Sequence, residues 1–244
     1  YIVGVDLQLN DFNLLSGLKN LKLLAGSFTY PVLTQPLPEL PELKQLVLTD
    51  LDKNPALPAN FLVKNKQLER VILQKPVQFD MSLLDPLKNL KELVIRESGE
   101  ILNAGLINGH KKLEVLVIGD DNADYDLNII ELPRLRWMTF FNNTTQDEFN
   151  SFINVHPDLE VIELVKFDTI SSLQALSGLT KLSSLTITDT VTDILSVEQL
   201  TKLKYLSLPS VFIDDSENLA RIKRSLPGTR IEANEGFCLG SGWL

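Results

Sequence analysis

Apolar residues recur along this chain at a spacing that changes partway through each repeat. In Leu87-Lys-Asn-Leu90-Lys-Glu-Leu93-Val-Ile95, leucine comes every third residue, and then an apolar residue comes every second. Three-residue spacing suits a helical turn; two-residue spacing suits a strand with one buried face. The same switch returns along nearly the whole chain. Taking the first strand residue as a marker gives Leu24, Leu46, Val71, Leu93, Leu116, Met138, Ile162, Leu185 and Leu206, spaced 21 to 25 residues apart. A small or apolar residue follows each marker two positions on, from Gly26 and Leu48 to Ile187 and Leu208. Three positions before each marker stands a leucine, without exception, from Leu21 to Leu203. One such match would mean nothing. Nine registers in agreement predict nine stacked coils, each contributing one strand.

The segments between strands differ in kind. Thr145-Gln-Asp-Glu148 reads as a capping box ahead of Phe149, Phe152 and Ile153, and predicts a helix. Ser196-Val-Glu-Gln199 reads the same way before Leu200 and Leu203, and 60–67 predicts another short helix. The stretch 30–41 is rich in proline and is expected to be extended or turn-like. At the ends, 2–9 predicts a strand one period before Leu24. The stretch 215–225 predicts a helix with Leu219 and Ile222 inward, and 227–231 a last short strand.

One such coil cannot bury its leucines alone, but stacked coils bury them against each other and pair their strands. Segments such as Leu176-Ser-Gly-Leu179-Thr-Lys-Leu182-Ser-Ser-Leu185-Thr-Ile187 resemble the leucine-rich repeat family, and most closely its short bacterial and internalin-like repeats. The resemblance covers nearly the full chain. It implies an α/β fold: a right-handed solenoid, or horseshoe, with a parallel β-sheet on the concave face and short helices and turns on the convex face. Residues 1–232 would form a single solenoid with its two caps, and 233–244 a tail. The family usually places Asn five residues after the marker. Here those positions hold Thr29, Leu51, Pro76, Ser98, Asp121, Asn143, Phe167, Thr190 and Val211. Only Asn143 conforms, so the turns are expected to be irregular. The resemblance further implies a non-enzymatic protein-binding module, exported or displayed at a cell surface. The alternative is the sensor or scaffold ectodomain of a larger membrane-anchored protein.

Composition narrows the partner. A net charge of −9 and a pI near 4.8 argue against nucleic acid or anionic lipid. With one cysteine, Cys238, no intrachain disulfide and no paired-cysteine metal site can form. No run of about 18 apolar residues is present, so membrane contact is expected only through a segment beyond Leu244.

The strand positions that point away from the leucines are the most informative. Val47, Ile72, Val94 and Val117 follow one another in consecutive coils, flanked by Val115, Trp137 and Val161 on one side and by Phe141 and Val165 on the other. Exposed, such a patch marks an interaction surface, and Trp is enriched among binding hot spots. The expected partner site is therefore Val94, Val115, Val117, Trp137, Phe141, Val161 and Val165, with Arg70, Arg96 and Glu163 giving polar selectivity. The competing reading is that β-branched residues simply suit strands or that a loop covers the patch. Burial of Trp137 and Phe141 within the monomer would favour that reading.

Other chemistry is sparse, and no cofactor is expected. Asp120, Asn122, Asp124, Asp126, Asn128 and Glu131 have the oxygen spacing of a calcium loop, but Tyr125 stands where that loop needs Gly. A solvated acidic turn is the simpler reading. His110 and His156 hold equivalent repeat positions, which points to turn structure rather than a catalytic pair. Gly240-Ser-Gly242 lacks the Lys and the helix of a phosphate loop. Asn142 and Asn143 open overlapping glycosylation sequons, which matter only in an exported eukaryotic protein. Cys238 reads as a thiol in a frayed tail, or as a cysteine ahead of a membrane anchor. No acid–base or nucleophile constellation can be placed.

Overall fold

The computed structural model describes residues 1–7, 11–28, 32–53, 56–119, 125–141, 144–166, 170–189, 191–214 and 216–234. The chain falls into two compact units, Tyr1–Arg134 and Leu135–Leu244.

The first unit holds strands β1 (Ile2–Leu7), β2 (Leu23–Phe28), β3 (Gln45–Thr49), β4 (Arg70–Gln74), β5 (Gln78–Asp80), β6 (Glu92–Arg96), β7 (Glu100–Leu102) and β8 (Val115–Gly119). Its main sheet runs β1-β2-β3-β4-β6-β8, all parallel, and β5 and β7 form a separate parallel pair. The second unit holds β9 (Trp137–Phe141), α1 (Gln146–Val155), β10 (Val161–Val165), β11 (Ser184–Ile187), β12 (Tyr205–Pro209), α2 (Ser210–Asp214), α3 (Ser216–Ser225) and β13 (Arg230–Asn234). Its parallel strands run β9-β10-β11-β12-β13.

Marker pairs with marker throughout each unit. Leu24 lies opposite Leu46, Leu46 opposite Val71, Val71 opposite Leu93, and Leu93 opposite Leu116. In the second unit Met138, Ile162, Leu185 and Leu206 align in the same way. A slip of one residue would turn every buried leucine to solvent, so the pattern itself fixes the register. The markers, the leucines three positions before them and the apolar residues two positions after them are buried in both units. Aromatic rings fill the widest gaps: Phe12 packs against Phe28 and Phe61, and Phe140 meets Phe149 and Phe152 edge-on.

One backbone feature recurs at seven strand entries among the described residues. The carbonyl two residues before a marker accepts two N–H groups from the next coil. The Lys22 carbonyl accepts from Lys44 (2.9 Å) and Gln45 (3.1 Å), and the Glu69 carbonyl from Lys91 (2.8 Å) and Glu92 (3.1 Å). Lys44, Lys91, Arg136, Glu160 and Ser183 carbonyls do the same. These bonds satisfy the backbone where the chain turns into the sheet.

The return segments show both agreement and correction. The capping box is present: the Thr145 hydroxyl accepts from the Glu148 N–H, and the Glu148 carboxylate accepts from the Thr145 N–H at 2.9 Å. Phe149, Phe152 and Ile153 are buried beneath α1. Ser196, expected to cap a helix, instead lies inside a 3₁₀ stretch, Ile194–Gln199, and its hydroxyl donates to the Asp193 carbonyl at 2.7 Å. A short coil has room for the tighter 3₁₀ geometry and little more. The helix expected over 60–67 is a chain of turns, with Phe61, Val63 and Asn65 each bonding back three residues. Asn65 is drawn away from helical geometry because its amide is needed elsewhere. Its Nδ2 donates to the Pro38 carbonyl (2.9 Å) and its Oδ1 accepts from the Leu40 N–H (3.0 Å). It thereby satisfies the proline-rich strap. The final strand begins at Arg230 rather than Pro227 and extends to Asn234.

Candidate interaction surface on the strands

The ten residues expected to bind a partner all lie on strands, five in each unit. In the first unit Arg70 is on β4, Val94 and Arg96 on β6, and Val115 and Val117 on β8. Arg70, Arg96 and Val115 are partly exposed, but Val94 and Val117 are buried. In the second unit Trp137 and Phe141 are on β9, and Val161, Glu163 and Val165 on β10. Trp137, Val161 and Glu163 are partly exposed, but Phe141 and Val165 are buried. The expectation of one broad apolar patch open to solvent is therefore corrected. Side chains on one face of neighbouring strands stand only about 4.8 Å apart, so adjacent side chains in one column cover much of each other's surface. The Thr144 N–H donates to the Phe141 carbonyl at 3.0 Å.

The exposed remainder is organised by register. Trp137 pairs with Val161 and Thr139 with Glu163. The Thr139 hydroxyl, fully buried, donates to the Glu163 carboxylate at 2.8 Å and fixes its direction. On β12, Tyr205 donates its hydroxyl to Glu232 at 3.1 Å. In the first unit the Arg70 guanidinium binds Glu92 at 2.9 Å, with both side chains largely covered.

A second set of charged residues was missed in the sequence. Two positions before the marker the sign of charge alternates over part of the chain: Lys44, Glu69, Lys91 and Glu114 in the first unit, Arg136 and Glu160 in the second. Stacking brings them together. Glu69 holds Lys44 at 2.8 Å and Lys91 at 2.7 Å, and Arg136 meets Glu160 at 3.4 Å. The two ammonium groups hold the Glu69 carboxyl down at about 2. Comparing the sign at equivalent positions of successive repeats would have shown this ladder.

The histidines are structural. His110 is buried and its Nδ1 lies 3.1 Å from the Leu87 carbonyl; burial pushes its pKa down. His156 stacks on Phe152 with centroids 4.0 Å apart, and its Nδ1 lies 2.8 Å from the Phe152 carbonyl. Each closes a turn before a strand-entry leucine. Of the calcium-like stretch, 120–124 lies outside the described residues. Asp126 caps a 3₁₀ turn by accepting from the Asn128 N–H at 2.8 Å, and Tyr125 donates its hydroxyl to the Ile118 carbonyl at 2.9 Å. Among the described residues no group of three or more His, Cys, Asp or Glu could hold a metal, and no helix is long and apolar enough to cross a membrane. Asn142, Asn143, Gly240, Gly242 and Cys238 also lie outside the described residues.

No family model and no curated protein matches the chain. Solved structures do. The chain is similar to an internalin from Listeria monocytogenes, at 18% identity over 88% of this chain and 61% of that one, with a TM-score of 0.52. It is similar to a leucine-rich repeat protein of Leptospira interrogans, at 21% identity over 93% of this chain and 59% of that one, with a TM-score of 0.57. A third match is to an octameric complex of latrophilin 3, Unc5D and the leucine-rich repeats of FLRT2. There the identity is 14% over 98% of this chain and 85% of that one, with a TM-score of 0.52. The chain spans about three-fifths of the length of the first two.

Proposed function

We propose that this chain, which has the α/β leucine-rich repeat solenoid fold, is a non-enzymatic protein-binding module whose grip lies on the outward face of its strands. The observation that carries this reading is the side-by-side placement of Trp137 and Val161, partly exposed, next to a Glu163 carboxylate oriented by Thr139. An amphipathic aromatic ring beside a fixed charge is the usual make-up of a binding hot spot. Phe141 and Val165 share that outward face but are buried. In the first unit Arg70, Arg96 and Val115 give a second, more polar set on the same face as the buried Val94 and Val117. Both histidines are committed to turn hydrogen bonds, which supports a binding role rather than acid–base chemistry. The proposed setting is export or surface display.

The test is capture from an extract of the source organism, with the intact chain and a Trp137→Ala, Val161→Ser variant of unchanged melting temperature as paired baits. A protein retained by the first and lost from the second supports the reading. Equal retention by both removes the strand face from consideration, and no retention by either favours the scaffold alternative. Fractionating the source cells tests the setting.

A further inference from the structure

Most of the cations in the first unit's strand-entry ladder are neutralised by their own chain. A neighbouring row is not. The two-residue turn before each strand-entry leucine holds Lys66-Gln67, Lys88-Asn89 and Lys111-Lys112 in three consecutive coils, those of β4, β6 and β8. Pro41 and Pro133 occupy the same place on either side. Lys66, Lys88 and Lys111 are exposed, and none forms an ion pair among the described residues. A Cβ added at Gly109 would lie 3.6 Å from the Lys88 Nζ, so that ammonium reaches over the next coil. Lys112 reaches back to Asn89 Oδ1 at 2.7 Å. The adjacent carboxylate that would most naturally offset them, Glu69, is held by Lys44 and Lys91. Asp85 and Glu42 are also exposed, and neither forms an ion pair among the described residues.

Like charges one strand spacing apart repel unless something neutralises them. We infer that this lysine row is a docking surface for a short acidic segment of a protein partner. The row spans two strand spacings, roughly 10 Å, which is about three residues of extended chain. A long polyanion such as nucleic acid or a sulfated glycan would run beyond it onto the acidic remainder of a chain with net charge −9. Lysine ammonium groups are point charges on flexible stems; they accept carboxylates without the planar geometry that arginine demands. This surface is separate from the strand face and stands whether or not that face binds.

The test uses the intact chain and a fluorescein-labelled N-acetyl tetraglutamate amide, followed by anisotropy at low and high salt, with tetraglutamine as the matched neutral peptide. Salt-sensitive binding of tetraglutamate alone is expected, weakened roughly tenfold in a Lys66→Gln, Lys88→Gln, Lys111→Gln variant. A Lys19→Gln, Lys202→Gln control should bind as the parent does. A second measurement needs no substitution: bound tetraglutamate should shield Lys66, Lys88 and Lys111 from an amine-reactive reagent while Lys19 and Lys202 react as before. Absence of binding, equal binding by the triple variant, or uniform labelling would overturn the proposal. So would tighter binding at the row by a sulfated oligosaccharide or single-stranded DNA.

Discussion

The strand-entry end of each coil repeats almost without variation, whereas the strand-exit end changes from coil to coil. At entry, a leucine and a doubly accepting carbonyl recur in both units. At exit, Asp50, Lys75, Glu97 and Lys166 take positive φ, a conformation that costs a residue with a Cβ about 1 kcal/mol or more. The position after each is filled differently: Leu51 and Pro76 are buried apolar groups, and Ser98 is a buried hydroxyl with no hydrogen-bond partner among the described residues. The entry end is held by stacking and backbone bonds, which need only an apolar side chain of the right size. The exit end is held by whichever local contact each coil supplies.

The sharpest way to break this comparison is to remove one entry leucine. Leu90 is fully buried between the coils of β4 and β8. Leu90→Ala should destabilise the protein by about 3 kcal/mol, through lost burial and the cavity left behind. Val77, an apolar residue at the exit end, is exposed, and Val77→Ala should change stability by less than about 0.5 kcal/mol. Paired urea titrations measure both. Equal effects would mean that the exit end contributes as much packing as the entry end.

Gly99 tests whether the exit end is rigid in its own way. Its N–H donates to the Pro76 carbonyl at 2.9 Å, and an added Cβ would fall 2.1 Å from the Val77 carbonyl oxygen. Because the obstructing atom is backbone, Gly99→Ala must push the two exit segments apart. A loss of roughly 1–3 kcal/mol is expected, with weakened amide protection at Gly99 in hydrogen exchange. A neutral substitution would show that these segments slide freely.

The same contrast explains what the sequence made legible. The leucine columns were readable because strand pairing multiplies one pattern nine times, and register followed from it. The capping box at Thr145 was readable because its signal is local. Ser196 carries the same local signal, yet the short coil there closes as a 3₁₀ turn. The helix expected over 60–67 gave way because Asn65 serves a strap 25 to 27 residues earlier, a demand invisible in a local window. The β5–β7 pair was missed, although Gln78-Phe79-Asp80 and Glu100-Ile101-Leu102 share an apolar centre at equivalent places. On the strand face, alternation correctly indicated which way the side chains point. It could not indicate how far bulky neighbours would cover Val94, Val117, Phe141 and Val165, because that depends on packing across three strands.

The smallest expected effect concerns the charge ladder at the entry end. In the folded protein Glu69 titrates near 2, against an ordinary value of 4.5, because Lys44 and Lys91 hold its ionised form. The folded state therefore binds fewer protons than the unfolded state between those values. The stabilisation is fully present above about pH 4.5 and is lost as the pH falls from there towards 2. All three side chains are substantially exposed, so solvent screens the pair and the contribution is small. Glu69→Gln should leave the neutral-pH melting temperature nearly unchanged, flatten its decline below pH 4.5, and make that decline less sensitive to salt. Melting curves from pH 7 to pH 3 for the parent and variant decide it. If the two fall in parallel, the entry end is held by leucine packing and backbone bonds, and the alternating charges serve only to keep neighbouring coils from repelling one another.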